Sequence, residues 1–272
     1  MRELEGRVAL ITGGAAGIGA CMARELAARG ARVVLWDLDG QRAQATAREI
    51  GHDARAYACD VSDRGQVARV AARVKEEVGP VDLLINNAGV VSGKPLLELS
   101  DEDIERTFGV NTLALFWVTR AFLGDMIARG EGHVVTVASA AGTIGVARMT
   151  DYAASKFAAV GFDESLRAEL RRSAPGVKTT VVCPYYIDTG MFEGVRTRYP
   201  GLLPILEPDD VAHRVIEAIE HDRPRVVLPF LVQLVPALRV FPVALFDWAA
   251  DLLGVNASMD EFIGHGEPEP EP

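Results

Sequence analysis

The segment that decides the fold reads Ile11-Thr12-Gly13-Gly14-Ala15-Ala16-Gly17-Ile18-Gly19. It follows an apolar run at 8–11 that is typical of a buried strand, and it opens a helix predicted over 17–29. The glycines at 13, 17 and 19 permit a tight turn and let the backbone approach a ligand closely. A pyrophosphate suits the helix N-terminus that follows. The segment therefore predicts a dinucleotide-binding turn between a strand and a helix.

The rest of the chain repeats this order of a short apolar strand and a longer amphipathic helix. The strand segments are near-continuous apolar runs, which is typical of parallel sheets covered by helices on both faces. The alternation predicts an α/β doubly wound fold with right-handed crossovers. We expect strands at 8–11, 32–36, 54–58, 81–85, 132–137, 177–182 and 224–228, and helices at 17–29, 41–50, 63–78, 101–129, 151–173 and 208–221.

Composition limits the class of protein and its partners. The 272 residues are 49% hydrophobic and carry a net charge of −10, which fits one large α/β domain. No basic cluster stands out, so nucleic acid is not an expected partner. The three cysteines, Cys21, Cys59 and Cys183, are too few and too far apart for a disulfide framework or a metal cage. With no signal-peptide pattern at the start of the sequence, we expect reduced thiols, no metal and a cytoplasmic location.

Two carboxylates follow the second and third predicted strands. Asp37 lies about twenty residues after the glycines, where it can accept hydrogen bonds from the adenosine ribose hydroxyls and repel a 2′-phosphate. It therefore favours NAD over NADP, the alternative being that it caps the helix starting near Gln41. Asp60 can accept from the adenine amino group or simply hold a turn, and the sequence leaves both open.

Four polar residues form a candidate catalytic set, namely Asn111, Ser139, Tyr152 and Lys156. Tyr152 and Lys156 lie four apart at the start of a predicted helix and so share one face. A tyrosine with a pKa of about 10 is a poor base at neutral pH, and a nearby ammonium lowers that pKa. Ser139, just after the fifth strand, can orient the substrate oxygen. Asn111, inside a long predicted helix, can hold a water that connects Lys156 to solvent.

Taken together, these motifs resemble the typical form of the short-chain dehydrogenase/reductase family. The similarity spans about residues 6–230 and is carried by Thr12–Gly19, Asn86-Asn87-Ala88-Gly89, Asn111, Ser139 and Tyr152-x-x-x-Lys156. The resemblance implies a single-domain Rossmann-type fold with a seven-stranded parallel sheet flanked by helices. It also implies Tyr152 as acid/base, Ser139 and Lys156 as its partners, and Asn111 as the proton-relay residue.

The same resemblance implies an extended surface for NAD. One departure concerns its wall, because this chain has Pro184-Tyr185 where many members have Pro-Gly, and the bulky ring changes the pocket. The cofactor-binding residues expected from the motifs and the resemblance are Gly13, Ala16, Gly17, Ile18, Gly19, Asp37, Asp60, Val61, Asn87, Ala88, Gly89, Tyr152, Lys156, Pro184, Ile187 and Thr189.

A closer similarity is carried by residues 183–192 and 202–208. These segments resemble the membrane-associated retinol dehydrogenases and their 17β-hydroxysteroid dehydrogenase relatives. That resemblance implies NAD-dependent conversion of a lipophilic alcohol, which can be retinol-, steroid- or fatty-alcohol-like, to its ketone or aldehyde. Those enzymes usually carry an N-terminal membrane helix that is not seen in this sequence, which weakens any transfer of their location or substrate.

The pocket for such a substrate is predicted from aromatic and aliphatic residues. Tyr185 and Tyr186 follow the sixth strand, where nicotinamide and substrate should meet. The segment 191–206 supplies the kind of residues that line a mobile lid, namely Met191, Phe192, Tyr199, Leu202, Leu203 and Leu206.

The predicted domain covers 1–264 and ends in an apolar extension, 229–264. The longest uncharged run near it, 226–238, is shorter than the roughly 20 residues that a membrane-spanning helix needs. We therefore expect no transmembrane segment. The extension is expected to pack on the domain or a sister subunit, to roof the pocket, or to touch a lipid surface. The acidic, proline-rich tail 265–272 is expected to be disordered.

The helical stretches 101–129 and 151–173 carry apolar residues beyond one face. In the family that the chain resembles, the matching helices pair between subunits, so a homodimer or homotetramer is expected. The residues that indicate it are Leu113, Leu115, Phe116, Phe157 and Phe162.

Two other functions remain open. An NADPH-linked carbonyl or ketoacyl reductase would use the same catalytic set, but Asp37 and the absence of a basic residue in Gly13–Gly19 argue against it. A nucleotide-binding protein without catalytic activity would not need the complete set of Asn111, Ser139, Tyr152 and Lys156.

Overall fold

The computed structural model of the chain describes residue 1 and residues 3–264, so the predicted disordered tail at 265–272 lies outside the described residues. The strands are β1 (Val8–Thr12), β2 (Arg32–Asp37), β3 (Arg55–Ala58), β4 (Leu83–Asn86), β5 (Gly132–Val137), β6 (Val177–Pro184) and β7 (Arg225–Leu228). The α-helices are α1 (Gly17–Ala28), α2 (Gly40–Ile50), α3 (Arg64–Glu77), α4 (Asp101–Phe108), α5 (Ala114–Arg129), α6 (Thr150–Ser173), α7 (Pro208–Glu220), α8 (Val235–Leu238) and α9 (Val243–Leu252).

The seven strands pair in parallel in the order β3-β2-β1-β4-β5-β6-β7. This confirms the predicted doubly wound, seven-stranded sheet, and each predicted strand boundary lies within two residues of the observed one. The direction of winding reverses between β1 and β4. In open α/β sheets the carboxyl ends of the strands at such a reversal form a crevice that binds ligands.

Both faces of the sheet are covered by helices, as the apolar strands predict. Successive side chains of β1 point to opposite faces. Ile11 belongs to the core that also contains Met22 of α1 and Val215 of α7. Leu10 belongs to the opposite core, with Phe122 of α5. Because both faces are dry, the strands need no polar alternation, which explains their continuous apolar pattern.

The helix predicted over 101–129 is divided in the structure. Helix α4 begins at a capping box formed by Ser100 and Asp103, a π-helical turn covers Gly109–Leu113, and α5 follows. The sequence pattern did not show this break, because apolar residues continue on both sides of the π turn. The turn contains Asn111, and single π turns inside helices often occur at functional sites.

The extension after β7 folds back over the carboxyl ends of the strands. It forms a 3-10 turn at Phe230–Leu234, helices α8 and α9, and an irregular segment that reaches residue 264. Hydrogen bonds from Arg196 N to Ser258 O (3.2 Å) and from Ile263 N to Glu193 O (2.9 Å) join this last segment to the chain after β6. None of the helices within residues 3–264 is long and apolar enough to cross a membrane.

Candidate active site

A cavity of about 590 Å³ opens at the carboxyl ends of the strands, where the winding of the sheet reverses. Its wall contains the predicted catalytic residues Ser139, Tyr152 and Lys156, but not Asn111. Of the predicted cofactor-binding residues, Gly19 alone is absent from the wall, which therefore includes Gly13, Ala16, Gly17, Ile18, Asp37, Asp60, Val61, Asn87, Ala88, Gly89, Pro184, Ile187 and Thr189.

The glycine segment forms one end of this cavity. Gly13 and Gly17 have positive φ angles of 62° and 52°, which L side chains rarely adopt. A side chain on Gly19 would overlap the carbonyl oxygen of Gly13, so this glycine serves close packing behind the wall. The Asn87 amide donates to the carbonyl oxygens of Thr12 and Gly13, both at 3.0 Å. The turn is therefore held from two neighbouring strands.

The start of α1 faces the same end of the cavity. Ala16 occupies the N-cap position, makes no side-chain capping bond, and is followed by no acidic residue in the first turn. The first backbone N–H groups of a helix have no partner inside the helix, and they carry the positive end of its dipole. An anion fits this position better than any side chain of the helix itself.

Asp37 is fixed at the end of β2 by backbone donors. Its Oδ2 accepts from Ala15 N at 3.0 Å, and its Oδ1 accepts from Asp39 N at 3.1 Å. The alternative that Asp37 caps the next helix is wrong, because Asp39 is the cap and accepts from Arg42 N at 2.9 Å. Arg42 also lines the cavity, which the sequence did not indicate. Because Arg42 lies in the first turn of α2, its guanidinium lies near the same end of the cavity as the Asp37 carboxylate.

Asp60 has the role of a turn residue as well as a place in the wall. Its Oδ1 accepts from the backbone N and from the hydroxyl of Ser62, at 2.9 and 2.6 Å. The sequence left open whether this carboxylate holds a turn or meets a ligand. The hydrogen bonds to Ser62 show that Asp60 holds the turn. Its place in the wall is also compatible with contact to a ligand.

Tyr152, Lys156 and Ser139 converge in the middle of the cavity. Tyr152 and Lys156 come from the first two turns of α6, and Ser139 follows β5. The Lys156 ammonium donates to Val137 O at 3.0 Å and lies 5.6 Å from the centre of the Tyr152 ring. The Ser139 hydroxyl accepts from Ala141 N at 3.1 Å. All three side chains are buried, so a reacting group beside them is shielded from water.

Burial controls the acid–base properties of this group. It raises the pKa of Tyr152, and a hydrogen bond with Ser139 opposes that rise. The expectation that the pKa of Tyr152 is lowered is therefore not met in this structure. Burial also lowers the pKa of Lys156 to about 8, while the neighbouring Cys183 raises it slightly. Lysine is accordingly still largely protonated at neutral pH.

Asn111 lies behind the wall rather than in it. Its Oδ1 accepts from Val90 N at 2.8 Å, and its Nδ2 donates to Val90 O at 2.9 Å and to Ser155 Oγ at 3.0 Å. A Cβ built on Gly89 would lie 3.4 Å from both Asn111 Oδ1 and Lys156 Nζ, so the two side chains approach one point. The side chain of Asn111 thus joins the loop after β4 to α6.

The other end of the cavity is apolar. Predicted residues from the region after β6 reach it, among them Tyr185, Phe192 and Leu203, whereas Tyr199 and Leu202 are exposed. The Tyr186 hydroxyl bonds the hydroxyl of Ser258 at 2.8 Å, which closes the wall. The sequence did not indicate the apolar residues before α6 or at the end of the extension, namely Ile144, Val146, Met149 and Val255. The extension contributes Leu231, Val232, Val235, Leu238, Phe246, Ala249, Ala250 and Leu253.

Comparison with known proteins agrees with this geometry. The family described as short chain dehydrogenase matches residues 7–200. Epidermal retinol dehydrogenase 2 of Mus musculus is 44% identical over 269 residues, which cover 97% of this chain and 87% of that protein.

Two solved structures are also similar. One is a short chain dehydrogenase/reductase from Burkholderia phymatum in complex with NAD, with a TM-score of 0.80, 31% identity, and coverage of 88% of this chain and 95% of that chain. The other is an actinorhodin polyketide ketoreductase with NADPH, with a TM-score of 0.75, 31% identity, and coverage of 84% and 97%. Similar folds therefore occur with both forms of the nicotinamide cofactor.

Proposed function

The chain belongs to the short-chain dehydrogenase family and is an oxidoreductase that acts on CH–OH groups, and from that premise we propose its cofactor, mechanism and substrate class. The cofactor is NAD(H). The substrate is a lipophilic alcohol, retinol-, steroid- or fatty-alcohol-like, which is interconverted with its ketone or aldehyde. One observation carries the proposal: a single cavity joins an anion-binding turn, the buried group of Tyr152, Lys156 and Ser139, and an apolar end.

The residues at the first end of the cavity fit a dinucleotide. The uncapped start of α1 and the bare glycine backbone suit a pyrophosphate, and Asp37 suits the two hydroxyls of an adenosine ribose. Arg42 lies close by, and its guanidinium would attract the 2′-phosphate that Asp37 repels. The carboxylate is nevertheless held rigidly by two backbone donors, whereas Arg42 is exposed. Bound there, NAD supplies the hydride acceptor for alcohol oxidation.

Tyr152 is the residue that exchanges a proton with the substrate oxygen. In the direction of reduction, its buried and protonated hydroxyl donates the proton as the carbonyl oxygen becomes an alcohol. In the direction of oxidation, the same oxygen accepts that proton. The Ser139 hydroxyl holds the substrate oxygen beside it. Because burial raises the pKa of Tyr152, we expect the rate of alcohol oxidation to increase with pH. We expect the rate of carbonyl reduction not to increase with pH.

Lys156 has two roles in this scheme. Its ammonium stabilises a developing phenolate on Tyr152, and it can bond the ribose next to the nicotinamide. Asn111 is the proposed relay residue, and it acts from behind the wall. Since its side chain is engaged with Val90 and Ser155, the relay uses the widened backbone of the π turn rather than the amide group.

The apolar end of the cavity sets the substrate class. Each methylene that moves from water into an apolar site contributes about 0.8 kcal/mol, or about fourfold in kcat/KM, until the site is full. Tyr185, Phe192 and Leu203 offer no charged group to a sugar or a hydroxy acid. We therefore expect straight-chain alcohols to improve as substrates with length, and glycerol to be poor.

The proposal extends to assembly and location. Leu113 and Phe116 are exposed on the α5 side, and Phe116 packs edge-on against Phe162 of α6, with 4.9 Å between the ring centres. This exposed apolar strip fits a homodimer or homotetramer built through α5 and α6. Leu115 is buried and takes no part. The free thiols of the three cysteines fit a reducing, cytoplasmic environment. Peripheral membrane contact is proposed from the exposed apolar residues of the extension after β7.

The test is a panel of alcohols assayed with NAD and NADP by the absorbance of reduced nicotinamide. We expect turnover with NAD, rising several-fold per added carbon over a short range, and at least tenfold weaker binding of NADP. Tyr152→Phe keeps the ring but lacks the hydroxyl, so it should lose nearly all turnover and still bind NAD.

Three results would contradict the proposal. Preference for NADPH with carbonyl substrates would indicate a reductase. Binding of NAD without turnover of any alcohol would indicate an inactive nucleotide-binding protein. More than a few per cent of wild-type activity in Tyr152→Phe would remove Tyr152 from its assigned role.

A further inference from the structure

Helix α9 carries apolar residues on both its inner and its outer face, and it also exposes Asp247 and Asp251. Phe246 and Ala249 point to the inside and line the cavity. Val243, Leu245 and Trp248 point outward and are 74%, 48% and 60% exposed. A surface helix normally presents polar residues outward, so three large exposed apolar side chains on α9 are unusual for a helix in contact with water only. The outer face of α9 is not covered by any of residues 3–264.

The exposed apolar surface continues into the residues before α9. Phe230, Val240 and Phe241 are 70%, 81% and 51% exposed. We call the six residues Phe230, Val240, Phe241, Val243, Leu245 and Trp248 the C-terminal apolar face. Side chains of this size together expose an area on the order of several hundred Å². Patches of that size on soluble proteins usually mark a contact with a protein or a membrane.

Charge indicates which kind of surface fits this face. Residues 226–253 contain one arginine and two aspartates, a net charge of −1, in a chain whose net charge is −10. The guanidinium of Arg239 lies 5.0 Å from the centre of the Phe157 ring, on the side of α6. The apolar face itself is therefore free of positive charge. It complements a zwitterionic lipid surface, and the acidic remainder of the chain disfavours an anionic one.

The C-terminal apolar face and the cavity share one wall. Leu238 lines the cavity and is also 38% exposed, so this side chain reaches both the cavity and the outer surface. A second copy of the chain on this face would close that wall from outside. A bilayer on this face would leave the shared wall in contact with lipid, in which a lipophilic alcohol dissolves. Continuity between cavity and outer face thus favours lipid over a second copy.

We propose that the C-terminal apolar face docks on the surface of a zwitterionic phospholipid membrane, and that the substrate enters the cavity from the lipid past Leu238. Trp248 and Phe241 would lie at the interface, where aromatic side chains are favourable. The docking part of this inference stands on the exposed face alone. The entry route rests on the lipophilic substrate proposed above.

The chain carries its own reporter for this test. Of its three tryptophans, Trp36 is fully buried and Trp117 is half-buried, whereas Trp248 belongs to the C-terminal apolar face. Vesicles of phosphatidylcholine with brominated acyl chains should quench the wild-type fluorescence. The variant Trp248→Phe should show little quenching at equal bound protein. Co-sedimentation with the same vesicles measures the bound fraction.

A charged variant tests the face itself. Phe241→Asp combined with Val243→Asp should reduce the vesicle-bound fraction at least tenfold. Leu97→Asp is the matched control, because Leu97 is 98% exposed in a separate turn, and it should bind vesicles like the wild type. Turnover of a short, water-soluble alcohol should be equal in all three proteins. Turnover of a long-chain alcohol delivered in vesicles should fall several-fold in the double variant only.

The outcomes separate docking from the proposed function. No co-sedimentation of the wild type at millimolar phosphatidylcholine, or equal loss in Leu97→Asp, would overturn docking. If the double variant instead converts an oligomer to a monomer in light scattering, a second copy covers the face and docking is wrong. Vesicle binding with no alcohol turnover would reject the proposed function and leave docking standing.

Discussion

Asp163 of α6 is a buried carboxyl group whose ionisation should control the stability of the fold at neutral pH. Its side chain is fully buried, and Oδ2 accepts from the Thr179 hydroxyl at 3.3 Å. Burial raises its pKa to about 7, although the charge of Arg167 and the bond to Thr179 act in the opposite direction. The folded state therefore holds the proton more tightly than the unfolded chain, in which the pKa of an aspartate is about 3.9.

The sign of the pH dependence follows from this difference. Between about pH 4 and pH 7 the folded state binds more protons than the unfolded state, so the free energy of unfolding falls as pH rises. A pKa difference of about 3 units corresponds to at most about 4 kcal/mol, lost by pH 8. Asp163→Asn cannot ionise and keeps an oxygen for Thr179. Its stability advantage over the wild type should therefore grow with pH, from about 1.5 kcal/mol near pH 5 to at most about 4 kcal/mol near pH 8.5.

Urea denaturation of the wild type and the variant between pH 5 and pH 9 measures this directly. The quantity of interest is the difference between the two proteins at each pH, because other groups titrate equally in both. Glu164→Gln is the matched control, since it removes a charge from the exposed neighbouring position and should leave the difference near zero at all pH values. A stability difference between Asp163→Asn and wild type that does not change with pH would refute the reasoning.

Three further predictions concern cofactor and assembly. Asp37→Ser removes the rigid carboxylate and leaves Arg42, so the preference for NAD over NADP should narrow by about tenfold or more, which calorimetric titration with both cofactors checks. Gly19→Ala places a methyl group against Gly13 O and should weaken NAD binding at least tenfold; unchanged affinity would show that the turn can shift. Phe116→Asp should yield a monomer in light scattering at micromolar concentration, whereas wild type should be at least a dimer, and a monomeric wild type would contradict the proposed assembly.

Local signals in the sequence determined the sheet and much of the cavity wall. The apolar strands, the glycine turn after β1 and the carboxylate after β2 follow from short-range constraints, since a turn needs its glycines and a doubly covered strand needs apolar side chains on both faces. The spacing of Tyr152 and Lys156 placed them on one helix face for the same reason. These features depend on neighbours along the chain, and the sequence displays those neighbours directly.

Long-range burial decided what the sequence could not show. The direction in which the pKa of Tyr152 shifts depends on how much protein surrounds the ring. Burial raises this pKa and outweighs the lowering expected from Lys156. The position of Asn111 behind the wall depends on a π turn and on Val90, 21 residues away. The apolar end of the cavity combines segments before α6, after β6 and after β7. Each of these depends on packing between distant parts of the chain, because desolvation and cavity shape are properties of the assembled fold rather than of any local pattern.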